Sequence, residues 1–298
     1  MPPLVRRGDR VAIVAPSGPV VPDRLTRGVE ILTSWGLAVD VMPHALDRAS
    51  DGMFAGTDVD RASDLEDAWC LPGVTAVVCA RGGYGASRLI DLLDWERMRA
   101  AGPRWLVGSS DITALHEAVQ RRLGLATLYG PMVASEVLAG EHQDASSVEA
   151  LRTAILDGPR VVLSAVPPFH VAPAVAHGPL VGGNLALVAS AVGTPDMLPA
   201  RDAIAFLEDV GEAPYRVDRI LTQLLRSGWF DGVRGVALGT FHQCGDVEGV
   251  LRERLSRLQV PVVGGFLVGH GPVQYTVPLG LDVTLDAYRG SLTVNTGD

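Results

Sequence analysis

The chain contains no lysine; its 25 basic residues other than histidine are all arginines. A Schiff-base amine, a Ser-Lys dyad and the lysine of a phosphate-binding P-loop are therefore excluded. Cysteine is scarce too. Cys70, Cys79 and Cys244 are widely spaced, with no C-x-x-C pair. Three such thiols build neither a disulfide framework nor a zinc ribbon, and a reducing cytoplasm is the expected compartment. Positive charge is in deficit, with a net charge of −9. Nucleic-acid binders carry a basic face, so no nucleic-acid partner is expected. No apolar run approaches the roughly 20 residues that span a bilayer. The run Val11 to Ala15, behind Arg6 and Arg7, is too short for a signal-peptide core and ends at Pro16 and Gly18. A soluble protein with no membrane partner is expected. Low-complexity tracts and internal repeats are also lacking.

What is present is an ordinary core-forming balance. Hydrophobic residues are 47% and charged residues 20% of 298, enough for one large or two ordinary domains. Arg10 to Gly18 reads as a buried strand entering a turn, and Asp23 to Gly36 has helical spacing through Leu25, Val29 and Leu32. "LAVDVMP", "VTAVVCA", "RWLVGSS" and "LATLYGP" follow as strands. Between them "DVDRASDLEDAWC", "ASRLIDLLD" and "ITALHEAVQRRLG" read as helices. Nearly all-apolar strands alternating with helices predict an α/β fold with a parallel sheet covered on both faces. Such sheets place their sites at the carboxyl ends of strands. The turns "APSGP", "ARGGYGAS" and "GSSD" fall there. Residues 1–140 are expected to form this domain and the polar, Pro-rich stretch 141–175 a linker. Residues 176–298 are expected to form a smaller β-rich domain, whose end alternates like antiparallel strands.

Three segments carry candidate chemistry. In "LVGSSDIT" a strand bends sharply into a helix at Ser110. The bend either serves helix capping by Ser109, Ser110 or Asp111, or presents Ser110 as a nucleophile beside backbone N–H groups that hold an oxyanion. In "FLEDVGEAPYRVDR" Glu208 and Asp209 follow an apolar strand. Acids there need partners. They pair with Arg216 and Arg219 in an ion cluster, or one of them orients a histidine. In "GGFLVGHGP" His270 is the one histidine of seven in a Gly-rich turn after an apolar strand. It is a simple turn residue or a base. His116 is expected on a helix as a partly buried residue, and His44, His142, His170, His177 and His242 in loops. Together the three segments supply a nucleophile, an orienting acid and a base.

These residues, with "AGTDVDRASDLEDAW", "ARGGYGASRLIDLLDW", "YGPM", "GPLVGGNLALVASAVGTP" and "GHGPVQYTVPLG", make the chain resemble the serine LD-carboxypeptidases, of which the microcin-immunity hydrolases are a branch. The resemblance runs along nearly the whole chain. It implies a Rossmann- or flavodoxin-like first domain and a β-rich second domain that swivels. It implies a triad of Ser110, Glu208 and His270, with oxyanion donors on the backbone of Asp111 and Gly83. It also implies a homodimer with no metal and no cofactor. The residue before the nucleophile, often aromatic in the family, is Ser109 here, so the pocket floor differs.

The implied reaction is cleavage of an L,D-peptide bond, releasing the terminal D-alanine of a cytoplasmic muropeptide tetrapeptide. Arg81 is a candidate for the substrate carboxylate, with Tyr84 beside it; a structural pair of Arg81 with an acid such as Asp111 is the other reading. The immunity branch implies an aminoacyl-sulfamoyl or phosphoramidate nucleotide instead, which calls for a stacking platform. Of Trp35, Trp69, Trp95, Trp105 and Trp229, most lie in apolar periodic contexts. A non-catalytic nucleotide- or sugar-binding module is a third reading. "GGYGASR" fails the G-x-G-x-x-G pattern, however, because Arg88 takes the last position.

Overall fold

Period-two alternation sorts the first strands between two helical layers in the computed structural model, which describes residues 1–166 and 169–295. Val11 and Ile13 of β1 (Arg10–Val14) face one core with Leu25 and Leu32 of α1 (Pro22–Ser34). Ala12 and Val14 face the other with Leu65 and Trp69 of α2 (Asp58–Cys70). Strands β2 (Ala38–Val41), β3 (Val74–Cys79), β4 (Trp105–Gly108) and β5 (Thr127–Tyr129) extend the sheet in parallel. Helix α3 (Trp95–Ala101) precedes β4, and α4 (Thr113–Leu123) lies between β4 and β5. The segment 86–94, expected to begin a helix, makes only a 3-10 turn at Ala86–Arg88. The helix starts at Trp95 because Asp94 caps it, accepting the Arg97 N–H at 2.9 Å.

The stretch 141–175, expected as a linker, holds regular structure. After α5 (Glu136–Ala139), Asp144 caps α6 (Ala145–Leu156), whose Leu151 and Ile155 join the first core. It also holds β6 (Val162–Ser164) and β7 (Phe169–Val171), the two edges of the second sheet. Three-residue strands are too short to register as alternation, and edges tolerate the surrounding prolines. Residues 167 and 168 of that stretch lie outside the described residues.

The second sheet has eight strands. Its centre is β8 (Val175–Asn184), β9 (Ile204–Val210) and β10 (Gly235–His242), with α7 (Leu185–Ser190), α8 (Pro214–Arg226) and α9 (Glu248–Leu255) on one face. His170, His177 and His242, expected in loops, lie in β7, β8 and β10. β11 (Val262–Gly264) joins β10 in parallel. β12 (Val277–Leu279) crosses back and pairs antiparallel with β5, closing the first sheet. β13 (Asp282–Asp286) and β14 (Ser291–Val294) form an antiparallel hairpin. Phe206 of β9, Tyr129 of β5 and Val277 of β12 share one core, which ties the two sheets together. Each such side chain stabilises the fold by about 1.5–3 kcal/mol relative to exposure.

Candidate active site

β4 is buried along its length and ends at Gly108. A Cβ on Gly108 would lie 2.9 Å from Ile112, so only glycine lets the chain turn back here. Ser109 is extended, and Ser110 then takes φ +60, a left-handed conformation that costs an L residue about 1–2 kcal/mol. No side chain caps the following 3-10 turn, Ser110–Ile112. Simple helix capping therefore does not account for the bend.

The Asp111 side chain holds the bend in place. Its Oδ2 accepts the Ser17 hydroxyl at 2.6 Å and the Ala86 N–H at 2.8 Å. The elbow is thereby joined to the Ala15–Val20 turn and to the glycine loop 81–85. Those two segments meet directly, with the Gly18 N–H donating to the Gly82 carbonyl at 3.1 Å. Buried Arg61 ties them again, donating to the carbonyls of Pro16 and Gly85 and to Asp58. Gly82 packs against Ser110, and Gly83, at φ +115, packs against Gly18. Among the described residues, the N–H groups of Asp111 and Gly83 make no backbone hydrogen bond.

Glu208 and His270 meet. The His270 backbone N–H donates to Glu208 Oε2 at 2.9 Å, and its Nδ1 lies 2.8 Å from the same oxygen. Oε1 accepts the Tyr129 hydroxyl at 2.7 Å and the Asn184 amide at 3.2 Å. Glu208 is 0% exposed, so four donors replace its lost water. Parallel pairing sets Asn184 beside Glu208 and Gly108 beside Tyr129. The Tyr129 hydroxyl in turn accepts the Ser110 N–H at 3.0 Å. One bonded chain thus runs from Ser110 through Tyr129 and Glu208 to His270. Ser110 Oγ and the His270 ring share no hydrogen bond among the described residues.

Burial works to lower the His270 pKa, but the hydrogen bond and charge of Glu208, with Asp209 behind it, outweigh burial and raise it. Burial pushes Asp209 up to about 6, against hydrogen bonds from Val210, Asn184 and Ala186. No arginine reaches Glu208 or Asp209 at ion-pair distance among the described residues; Arg216 meets Glu212 at 3.5 Å and the Tyr215 hydroxyl at 3.3 Å instead. The expected alternative of an ion cluster around Glu208 is not what is built.

Arg81 does not pair with Asp111. It is exposed and donates to the Pro19 carbonyl at 2.7 Å, on the rim of the glycine loop. Tyr84 is 53% exposed and leans on Phe54 at 5.5 Å between ring centres. All five tryptophans are buried. His116 is fully buried on α4, bound to the Gly108 carbonyl at 3.0 Å, and burial lowers its pKa to about 4.

Sequence reasoning missed Tyr129, Asn184, Ser17 and Arg61. Tyr129 had a signal: a hydroxyl at the carboxyl end of the strand following the elbow. Arg61 had none, because a lone arginine in a helical repeat reads as solvent-facing.

Two sheets whose strand ends gather a strained serine, a carboxylate-bound histidine and glycine loops define a class. The chain belongs to the LD-carboxypeptidase family of serine peptidases. The family's N-terminal domain matches residues 11–130 and its C-terminal domain residues 177–285. A Streptomyces coelicolor protein named as a candidate carboxypeptidase is 51% identical over 301 residues, covering 99% of this chain and 96% of that one. The crystal structure of the muramoyltetrapeptide carboxypeptidase from Oxalobacter formigenes matches with a TM-score of 0.83 at 30% identity, over 97% and 99% of the two chains. The microcin C7 self-immunity protein in complex with glutamyl sulfamoyl guanosine shares the fold, with a TM-score of 0.89 at 23% identity over 100% and 98%.

Proposed function

We propose that the protein is a metal-independent serine LD-carboxypeptidase that releases the terminal D-alanine of muropeptide tetrapeptides in the cytoplasm, during cell-wall recycling. The observation that carries this reading is the bonded chain from strained Ser110 through Tyr129 and Glu208 to His270. With Nδ1 held by Glu208, His270 has Nε2 free to take a proton. Ser110 Oγ attacks the carbonyl of the L,D-peptide bond, and its proton passes to Nε2. The N–H groups of Asp111 and Gly83 receive the oxyanion. The C–N bond breaks as His270 gives the proton to the leaving amine, and water then hydrolyses the ester. The reading requires Ser110 and His270 to approach when substrate binds, as catalytic contacts often tighten only in the complex. Arg81 receives the terminal carboxylate with the N–H groups that Pro19 leaves free, and Tyr84 flanks it.

The name of the Oxalobacter formigenes relative supports the substrate class. A second reading, hydrolysis of an aminoacyl-sulfamoyl nucleotide, is supported by likeness of fold to the immunity protein. It is less favoured, because the buried tryptophans offer no stacking platform for a base. Mass spectrometry of a muropeptide tetrapeptide incubated with wild type and Ser110→Ala decides. Loss of one D-alanine with wild type alone is expected, and excess EDTA leaves it unchanged. Loss with both refutes Ser110 as nucleophile. Loss with neither, alongside cleavage of glutamyl sulfamoyl guanosine, moves the assignment to the second reading. A homodimer is also proposed, to be read by sedimentation equilibrium.

A further inference from the structure

Ser110, Glu208 and His270 as a reacting set leave one question open: why a tyrosine is bonded between them. Tyr129 is fully buried. A backbone N–H can only donate and a carboxylate only accept, and the phenol has one hydrogen. Its roles are therefore forced: it accepts from Ser110 and donates to Glu208. Nothing lets it turn away. Register fixes it opposite Gly108, two residues before Ser110. The Phe206 ring meets it edge-on at 5.3 Å and the His116 ring lies at 5.7 Å.

We infer that Tyr129 is a positioning residue for the proposed hydrolysis, fixing the backbone of the nucleophile and sharing the charge of the carboxylate that orients the base. The inference rests on the reading of Ser110 as nucleophile. Two observations support it. A residue at φ +60 stays there only if its surroundings hold it, and among the described residues the Ser110 N–H has this one partner. That bond also removes the Ser110 N–H from the oxyanion site, leaving it to Asp111 and Gly83. On Glu208 Oε1, the other donor is the longer bond from Asn184, whose amide is shared with Asp209 at 3.0 Å.

The consequence for His270 has a sign. Glu208 and Asp209, both on β9, are the charged groups acting on the imidazole. Around Tyr129 stand Glu208, the neutral hydroxyl of Thr113 and His116, which is uncharged at neutral pH. Without the phenol hydrogen, the charge of Glu208 falls more fully on His270 and holds its proton harder.

The test compares wild type, Tyr129→Phe and a protein with 3-fluorotyrosine at 129, reading kcat, KM and the pH profile of kcat/KM on the tetrapeptide. The His270 pKa by NMR gives the same readout without substrate. Tyr129→Phe is expected to lower kcat by roughly tenfold with KM unchanged, the scale of one lost buried hydrogen bond at a reacting group. Its acidic limb and His270 pKa move up by about half a unit. Fluorotyrosine keeps the shape and is a stronger donor, so its limb moves down, an outcome that does not depend on whether Tyr129→Phe folds. Unmoved limbs and His270 pKa in both variants overturn the inference, even if activity falls, because a merely structural tyrosine gives that result. Ser110→Ala separates the two levels: if it stays active, the proposed function fails and this inference with it. If it is inactive while the Tyr129 variants match wild type, only this inference fails.

Discussion

Replacing Gly269 by alanine tests the site at its tightest point. A Cβ there would lie 2.6 Å from Glu208 Cγ and 2.8 Å from its Cβ, and closer still to Oε2. Carbon atoms in comfortable contact stand about 3.5–4.0 Å apart, so one partner must move by about 1 Å. Glu208 is held by four hydrogen bonds and buried on every side. The loop must therefore give, and it carries His270. Thr240, whose hydroxyl donates to the His270 carbonyl and whose backbone N–H donates to the Val268 carbonyl, resists that shift. If His270 is the base proposed above, a displacement of that size should cost about a hundredfold in rate. Stability falls as well. Gly269 has φ +108, where an L residue is strained by about 1–3 kcal/mol, and overpacking adds about 1–3 kcal/mol. The control is Gly124→Ala, at φ +68 with nothing within 4 Å of the new Cβ. It bears only the left-handed cost of about 1–2 kcal/mol. Urea unfolding and tetrapeptide turnover of both variants give the comparison. Equal stability losses, with wild-type kcat in Gly269→Ala, would refute the geometry argued here.

Glu208→Gln should lower kcat by about three to four orders of magnitude, by removing the charge and the fixed tautomer that serve His270. The His270 pKa, followed by NMR, should then fall below the ordinary histidine value, since burial loses its counterweight. In the wild type the folded pKa is the raised one. The pairing therefore stabilises fully below the ordinary histidine value and is lost as pH climbs through the folded pKa. Arg61→Ala should cost about 1–3 kcal/mol in urea unfolding, because the buried Pro16 carbonyl loses its donor, whereas Asp58 and the Gly85 carbonyl keep Arg88. Arg61→Lys should rescue it only in part, as one ammonium nitrogen cannot serve the two carbonyls and Asp58 from the two positions that the guanidinium nitrogens occupy. Glu117 is buried without a hydrogen-bond partner among the described residues, and burial, then Asp196, raises its pKa. With the folded pKa above the unfolded one, stability should decline as pH rises past the ordinary carboxylate range. Glu117→Gln should flatten that slope, and an unchanged slope would show that the carboxyl finds water.

Local pattern carried much of this protein into view. Nearly all-apolar strands such as β3 and β4 are expected to be buried on both faces, so alternation with helices reports a parallel sheet before any contact is known. The glycine-rich turns likewise pointed to Ser110, just past β4, and to His270, in the loop after β11, whereas Glu208, expected after its strand, lies within β9, because that strand runs on through its two acids to Val210. Tertiary structure decided the rest. A chain read in order cannot show that β12 returns to the first sheet or that 141–175 feeds both edges of the second, since such pairings depend on distant partners. It left Glu208 between an arginine cluster and a histidine, and only the folded geometry puts Oε2 against His270. Tyr129 is the clearest case. In sequence it is a tyrosine before Gly-Pro, and its role comes from two hydrogen bonds to residues 19 and 79 positions away. Periodicity records which face of an element is buried, whereas a polar side chain's partner is set by where separate elements meet.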